Sequence, residues 1–444
     1  MDISLNFGEE FFASLKNLFQ DAVRRKYKNK SSEVELECRV GIPGKLIKKD
    51  DYITWTFDPY VEQAIFSSVK SKLDGNSLYK VEYTETDIEI KDVGVGPESK
   101  TIRKITQNKN NELSIIYQYK KSVDNVDTLF LSVPLTLPYV NHERNVYMLR
   151  LSLSEEENDN IVIKNEYENS TSSIFRRSRK RWSYKALDHI VDLTIIDNIY
   201  YSIEMEYTSN LLLSLDIDKL NDLKYLFTNK FFPPLKSLIK TLFPDLTLVY
   251  GLNYVNKSYS DLINVSTGGA RLSEVRPRNI KESEVGSLLS GYSWTNKLNG
   301  TKYRLMIDSY KYMRDTVYLA FVVSDTDIKF VCIDDKSQIL QNFNKTLIDV
   351  ELFEYKNNIE LHAFDCLVFQ NKKYTTYTHD ERISILNTSK LTDQLNKILI
   401  KYKYIFEIKK FFYQGPSNII NDFKNTLRYM YNRYGNDIEE TNDG

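Results

Sequence analysis

Two short runs of alternating glutamates are the residues best suited to chemistry in this chain. In the first, Glu35, Glu37 and Arg39 alternate with apolar residues; in the second, Glu204 and Glu206 do the same. Side chains of a strand alternate between its two faces, so each run gathers its acids on one face. Glutamates crowded there repel each other, and hard cations such as Mg²⁺ or Mn²⁺ would relieve that repulsion. A solvated strand face is the competing interpretation of either run taken alone.

Basic side chains are concentrated between the two acidic runs. They include Arg103, Lys120, Lys121, Arg150 and the segment RRSRKRWSYK at 176–185. If they face the glutamates inside one closed sheet, the interior would suit a triphosphate that carries a bound metal ion. The competing interpretation is a solvated surface, part of it an RNA-facing patch.

A further candidate is the lysine of the segment TNKLNG at 295–300. Gly300 follows Lys297 by three residues and allows a tight turn and the close approach of a nucleotide. The positive charges of Lys302 and Arg304 would favour the neutral, nucleophilic form of the Lys297 amine. A lysine three residues before a glycine is also a common turn, so this match alone indicates little.

Acids placed in apolar strands follow downstream of this lysine. Asp349 and Glu351 lie in TLIDVELFE, and Asp365 lies in IELHAFDCLVF. Buried acids need partners, and a lysine, a metal ion or ribose hydroxyls would serve. The neighbouring Phe364 is suited to stacking on a base.

The elements that must position these residues are mostly short strands. Alternating segments fill the chain from residue 33 to residue 207 and resume at about residue 302, which predicts two regions of antiparallel sheet. Helical spacing is found at 11–28 and 380–403, and a helical stretch in between is broken at Pro233 and Pro234.

Length and composition exclude several classes of protein. A chain of 444 residues predicts two or three domains, and a net charge of −1 confines any nucleic-acid site to a local patch. The three isolated cysteines argue against a disulfide framework and indicate a reducing compartment. No apolar run has the length of a membrane span, so we expect no contact with a membrane.

The acidic and basic strands together resemble the triphosphate tunnel metalloenzymes. The likeness covers about residues 30–210 and rests on Glu35-x-Glu37-x-Arg39 near its start and Glu204-x-Glu206 at its end. It implies an antiparallel tunnel of eight strands that removes the γ-phosphate of RNA 5′-triphosphates. It also implies that Glu35, Glu37, Glu204 and Glu206 hold the metal, with Glu37 and Glu206 catalytic. The implied phosphate contacts are Arg39, Arg103, Lys121, Arg150, Arg179 and Arg181.

The downstream residues resemble the covalent nucleotidyltransferases, which are the mRNA guanylyltransferases and polynucleotide ligases. The motifs Lys297-x-x-Gly300, Asp349-Val350-Glu351 and Phe364-Asp365 occur in the family's order. The resemblance implies that Lys297 accepts GMP from GTP. The other GTP-binding residues that we assign are Gly300, Lys302, Arg304, Glu351, Phe364 and Asp365.

A tunnel-like half followed by a transferase-like half is similar to the large mRNA capping subunit of poxviruses, other large cytoplasmic DNA viruses and yeast linear plasmids. The resemblance implies an α+β chain with a tunnel domain at 1–250. It implies a nucleotidyltransferase domain of antiparallel sheets and flanking helices at 251–444. It further implies Mg²⁺ or Mn²⁺, 5′-triphosphate RNA and GTP. A methyltransferase domain or small stimulatory subunit, a viral-type RNA polymerase, and a location in the host cytoplasm or virion are also expected.

The chain departs from this family pattern in two places. Asn299 stands where the family usually has aspartate, which we expect to slow guanylyl transfer. The sequence ends at Gly444, before the family's apolar pair, later lysine motif and lid, which predicts a longer polypeptide. Two other interpretations stay open: an ATP-dependent polynucleotide ligase with an extra N-terminal domain, and a catalytically degenerate scaffold that binds RNA ends.

Overall fold

The computed structural model divides the chain into two compact units. The first comprises Met1–Gly44 and Trp55–Asn253, and the second comprises Lys45–Thr54 and Tyr254–Gly444. The structure describes residues 17–18, 20–22, 24–25, 33–49, 52–93, 100–109, 112–132, 146–158, 161–208, 232–242, 246–267, 295, 298–312, 315–334, 337–355, 358–411 and 419–434.

The first unit contains ten strands, except that the end of β1 and the start of β2 fall within Lys45–Thr54 of the second unit, and three helices with described bounds, preceded by helical residues at 17–18, 20–22 and 24–25. The strands are β1 (Glu33–Lys49), β2 (Tyr52–Asp58), β3 (Lys80–Val93), β4 (Lys100–Lys109), β5 (Glu112–Ser132), β6 (Val146–Asn158), β7 (Phe175–Lys185), β8 (His189–Ile196), β9 (Tyr200–Tyr207) and β10 (Leu246–Gly251). The helices are α1 (Gln63–Asp74), α2 (Ile161–Asn169) and α3 (Phe232–Leu242).

Eight of these strands close into a barrel. Strand β1 pairs with both β6 and β9, and β5 pairs with both β4 and β6. The ring therefore runs β1-β6-β5-β4-β3-β7-β8-β9 and back to β1, while β2 and β10 attach outside it. Each neighbouring pair in the ring is antiparallel. The eight-stranded antiparallel barrel that the resemblance implies is thus present.

The apolar core of this unit lies outside the barrel wall. On β1, Val34, Leu36, Cys38 and Val40 are all at most 4% exposed and belong to a cluster with outward residues of β6, β8 and β9. Helices α1 and α3 contribute their apolar residues to the same cluster. Because the strand period is two, packing this face against helices turns the alternate, glutamate-bearing face toward the barrel interior.

The second unit is a seven-stranded sheet with helices. Its strands are β11 (Thr301–Tyr312), β12 (Asp315–Val323), β13 (Ile328–Asp334), β14 (Thr346–Tyr355), β15 (Asn358–Phe369), β16 (Lys372–Lys373) and β17 (Tyr404–Ile408). Its helices are α4 (Leu252–Thr267), α5 (His379–Thr388), α6 (Leu391–Leu399) and α7 (Ile419–Tyr434). The sheet order is β13-β12-β11-β14-β15-β16, with β17 parallel to β15 and the other pairs antiparallel.

Helices α5 and α6 share a core with this sheet, through residues such as Leu386 and Leu395. Among the described helices of the chain, none combines the length and the apolar character needed to cross a membrane.

Candidate active site

The barrel encloses a charged cavity of about 390 Å³. Its acidic lining residues are Glu35, Glu37, Glu156, Asp192, Glu204 and Glu206, and its basic ones are Arg39, Arg103, Lys120, Arg177, Arg179 and Arg181. Acids and bases are equal in number, so their formal charges cancel when all of these groups are ionised. A charged ligand that binds there must therefore carry an opposite charge of its own, as a polyanion with a bound cation does.

The acids from β1 and β9 lie side by side. Glu37 is opposite Glu206 in the register of these strands, and Arg39 is opposite Glu204. Arg39 pairs with Glu37 at 3.1 Å and with Glu204 at 3.3 Å. All four predicted metal-binding glutamates therefore line one cavity, Glu35 included.

Lys120 of β5 lies close to three acids from two other strands, β1 and β6. Its Nζ lies 2.6 Å from Glu35, 2.8 Å from Glu156 and 3.8 Å from Glu37. Burial lowers the pKa of Lys120, but Glu37, Glu35 and Glu156 outweigh burial and raise it. The lysine therefore stays charged among these carboxylates.

The two glutamates of β9 differ in protonation. Burial raises the pKa of Glu204, but Arg39 and Arg181 outweigh it and hold the pKa at about 2. For Glu206, burial comes first, and the nearby charges of Glu35 and Asp192 add to it, raising its pKa to about 8. Glu206 is the acid whose ionised form most needs a compensating charge.

This difference predicts that the metal-free protein loses stability as pH rises. Between its ordinary pKa of 4.5 and its folded pKa of about 8, Glu206 binds a proton in the folded chain that the unfolded chain has released. The free energy of unfolding then falls as pH rises through this window. With EDTA present, we expect Glu206→Gln to match the wild type near pH 5 and to exceed its melting temperature above pH 8. Parallel curves for the two proteins would contradict the assignment.

Three arginines of the cavity have no carboxylate partner. Within the part of the chain that the structure describes, no acid lies within 4 Å of Arg103, Arg177 or Arg179. Burial, and then the positive charge of Arg181, lower the pKa of Arg179 to about 9. The Nε of Arg177 is buried without a hydrogen-bond partner. Buried cations that repel one another are stabilised by an anion placed among them.

Two of the predicted phosphate contacts lie elsewhere. The side chain of Lys121 is exposed, because Lys120 takes the inward position of β5 and its neighbour points outward. Arg150 faces Arg39 in the register but is not among the cavity-lining residues. It binds Asp127 through two hydrogen bonds of 2.7 and 2.8 Å and lies over the ring of Phe57.

Four charged lining residues are not among the predicted site residues: Lys120, Glu156, Arg177 and Asp192. The alternation does carry the signal for two of them. Arg177 is two residues from Arg179 and four from Arg181, so all three lie on the same face of their strand. Lys120 lies three residues after the buried Tyr117, so it is on the opposite face of its strand. Asp192 is the one acid of β8, and Glu156 stands between Glu155 and Glu157 in β6; only the closed ring shows that both reach the cavity.

The donor set fits a hard divalent cation in its chemistry. Carboxylates are the ligands that Mg²⁺ and Mn²⁺ prefer, and Glu37 and Glu206 lie on paired strands. Glu206 has no hydrogen bond or ion pair with another described side chain. Among the described residues no three acidic, histidine or cysteine side chains converge tightly enough to hold a metal. Lys120 and Arg39 provide the positive charge between these acids in this structure.

A second cluster lies in the second unit, around Glu351. The backbone N–H of Gly300 donates to Glu351 Oε1 at 3.0 Å, and the Lys409 ammonium binds Oε2. The Nζ atoms of Lys302 and Lys409 lie 6.0 and 5.9 Å from the ring centre of Phe364. Four of the predicted GTP-binding residues, Gly300, Lys302, Glu351 and Phe364, are therefore brought together, with Lys409 added.

Two further predicted residues are already occupied by protein partners. Arg304 is 9% exposed and binds Asp349 at 3.2 Å and the Tyr259 hydroxyl, since α4 covers this part of β11. Asp365 accepts two hydrogen bonds from Arg382, at 2.6 and 2.9 Å. Lys297 lies outside the described residues, while its neighbour Leu298 is 2% exposed and packs against α7.

Gly300 has no room for a side chain. A Cβ atom there would lie 2.4 Å from Glu351 Cγ and 2.7 Å from the Leu352 carbonyl oxygen. We expect Gly300→Ala to push Glu351 away from Lys409 and to destabilise the chain by about 1–3 kcal/mol, the usual cost of overpacking. Chemical denaturation measures this, and an unchanged midpoint would show that the turn tolerates a methyl group.

No family model matches this chain, and no curated protein is similar to it in sequence. The solved structure of the RNA triphosphatase Pct1 of Schizosaccharomyces pombe, in complex with the Spt5 CTD, is 14% identical, with a TM-score of 0.36 over 55% of this chain and 96% of that one. The Mimivirus capping enzyme triphosphatase is 12% identical, with a TM-score of 0.26 over 48% and 95%. Similarity at this level does not assign a function to this chain.

Proposed function

We propose that the barrel is a divalent-metal-dependent RNA 5′-triphosphatase that releases the γ-phosphate of 5′-triphosphate RNA. The observation that carries the proposal is the pairing, inside one closed cavity, of unpartnered arginines with a cluster of carboxylates. Phosphate oxygens are the ligands that guanidinium groups bind best. Carboxylates placed opposite them suit the cation that accompanies a triphosphate.

The arginines bind and orient the substrate. Arg177 and Arg179 lie on one strand, two residues apart, and Arg103 comes from β4. Their positive charges neutralise oxygens of the triphosphate and stabilise the charge that develops on transfer. Because the site is fixed by a closed barrel, little reorganisation is needed as the reaction proceeds.

Glu37 and Glu206 would hold the divalent cation, with Glu35 and Glu204 beside them. When bound, such a cation polarises the phosphoryl oxygens and lowers the pKa of water. A carboxylate that lines the cavity accepts the proton of the attacking water. The water oxygen forms a bond to the γ-phosphorus while the bond from that phosphorus to the β–γ bridging oxygen breaks. Inorganic phosphate and an RNA with a diphosphate end are the products. Lys120, already within 4 Å of three acids, offsets part of the negative charge of this wall.

Short RNA labelled at its γ-phosphate provides the test. With Mg²⁺ or Mn²⁺, we expect release of inorganic phosphate and a diphosphate-ended RNA, and we expect EDTA to stop the reaction. Release of pyrophosphate, or no release at all, would contradict the proposal. The second result is the one that a degenerate RNA-end-binding scaffold gives.

We also propose that the second unit is an mRNA guanylyltransferase that uses Lys297. The observation that favours it is the cluster of Gly300, Glu351 and Lys409, with the ammonium groups of Lys409 and Lys302 both about 6 Å from the ring centre of Phe364. An aromatic ring with two ammonium groups about 6 Å from its centre suits a base that carries phosphates. The diphosphate RNA made by the barrel is the acceptor that this second reaction requires.

The proposed transfer passes through a covalent lysine–GMP intermediate. The Lys297 Nζ attacks the α-phosphorus of GTP and forms a phosphorus–nitrogen bond, while the bond to the α–β bridging oxygen breaks. Pyrophosphate leaves, and the amine loses a proton to solvent. The diphosphate RNA end then displaces the lysine and receives GMP. A polynucleotide ligase would instead form the adduct from ATP, so the nucleotide that labels the chain separates the two interpretations.

A further inference from the structure

The cavity side of β9 changes character along the strand. Glu206, Glu204 and Ser202 line the cavity. Tyr200 is two residues before Ser202 and so lies on the same face, at the start of the strand. It is 44% exposed. This face therefore runs from acids inside the barrel to an aromatic ring at its mouth.

A second tyrosine continues the aromatic surface into the cavity. Tyr60 lines the cavity, and its ring stacks on Tyr200 with centroids 4.6 Å apart and planes 25° apart. The backbone on both sides of Tyr60 is fixed. Its own N–H donates to Asp58 Oδ1 at 3.3 Å, and the N–H of Val61 donates to the Tyr201 carbonyl at 2.9 Å. The pair is thus held on rigid elements.

The tyrosine pair is close to the phosphate-binding arginines. Ile196 is opposite Arg179 on one side and opposite Tyr200 on the other. Neighbouring strands are about 5 Å apart, so two strand spacings separate Tyr200 from Arg179. Burial raises the pKa of Tyr60 even though the nearby positive charge of Arg177 lowers it. A ligand with phosphates on the arginines would bring its next group to these rings.

The lining near the mouth is apolar as well as aromatic. Pro59 and Ile196 line the cavity together with Tyr60. Inorganic phosphates gain nothing from such a surface. A nucleobase does, because every base has a π-face that stacks on aromatic side chains whatever its sequence.

We propose that the Tyr60–Tyr200 pair binds the base of the 5′-terminal nucleotide by stacking. This inference rests on the proposed triphosphatase function. It identifies the substrate class as a triphosphate carried by a nucleoside, and not a bare polyphosphate. Stacking adds affinity without selecting one base, so RNA ends of any sequence are accepted.

Two measurements on the full chain test it. One is the KM for a short 5′-triphosphate RNA, and the other is the inhibition constant of inorganic tripolyphosphate in the same reaction. For Tyr200→Ala we expect KM to rise about 10-fold, from the loss of one base stack, with kcat unchanged. The tripolyphosphate inhibition constant should stay the same, because that ion has no base.

Tyr200→Phe keeps the ring and should keep the wild-type KM, which separates stacking from a hydroxyl contact. Tyr83→Ala is the matched control: Tyr83 is 47% exposed and stands next to the cavity-lining Thr84, so it lies on the outer face of the barrel. It should change neither constant.

The outcomes are distinguishable. If Tyr200→Ala leaves KM unchanged, or weakens RNA and tripolyphosphate equally, the stacking site is refuted while the triphosphatase proposal stands. If the wild-type chain releases no phosphate from RNA, the triphosphatase proposal itself fails, and this inference fails with it.

Discussion

Glu37→Gln is expected to reduce phosphate release from 5′-triphosphate RNA by about 10³-fold, because the contribution of a catalytic cation is several kcal/mol and each 1.4 kcal/mol is a factor of ten. Glu37 is 8% exposed and faces Glu206 across two paired strands. An amide keeps the shape of the side chain but removes the charge that would hold the cation. Single-turnover phosphate release at saturating Mn²⁺ measures the effect.

The amide substitution should leave the barrel folded. Ser152 Oγ donates to Glu37 Oε1 at 3.2 Å, and an amide oxygen can accept the same bond. The control is Glu85→Gln, since Glu85 is exposed and alternates with the cavity-lining Thr84 and Thr86. We expect it to keep the wild-type rate. A Glu37→Gln protein that releases phosphate at that rate, with an unchanged melting temperature, would remove Glu37 from the mechanism.

Much of the barrel could be predicted from the sequence, because alternation is a local signal. Leu36 and Cys38 alternate with Glu35 and Glu37, and the structure buries the first pair in the core and turns the second pair inward. About eight residues are enough to show this alternation, and several strands of the first unit show it. The face of each strand that carries the acidic or basic side chains could therefore be predicted from the sequence.

What the sequence could not supply is the pairing of distant strands. The choice between Lys120 and Lys121 depends on which face of β5 meets Glu35 and Glu156, and these come from β1 and β6. Arg150 has the correct parity but is bound by Asp127 of β5. Ion pairs of this kind depend on register, which alternation within one strand leaves undetermined.

The same limit applies to the second unit. Glu351 and Phe364 were chosen by motif order, and they do lie near Gly300 and Lys302. Arg304 was chosen because its positive charge, close to Lys297 in the sequence, would favour the nucleophilic form of that amine. Helix α4 covers Arg304 through Tyr259, which is 45 residues away in the sequence. A motif of a few residues gives no information about that contact.

Lys297→Ala is expected to abolish the covalent guanylate adduct altogether, because no other group would form the phosphorus–nitrogen bond. Incubation with α-labelled GTP and Mg²⁺ or Mn²⁺, followed by a denaturing gel, should show a labelled wild-type band and none for the variant. Phosphate release by the barrel should be unchanged in the same preparation, which shows that the protein is folded.

The matched control for this lysine is Lys397→Ala. Lys397 is exposed on α6, away from the contacts of Glu351 and Phe364, and alanine suits a helix. We expect it to label like the wild type. An adduct that persists in Lys297→Ala would place the nucleophile elsewhere, and labelling by ATP in preference to GTP would make the second unit a ligase. Because the Gly300 turn and Glu351 are described by contacts within the second unit alone, either result would leave the assignment of the barrel intact.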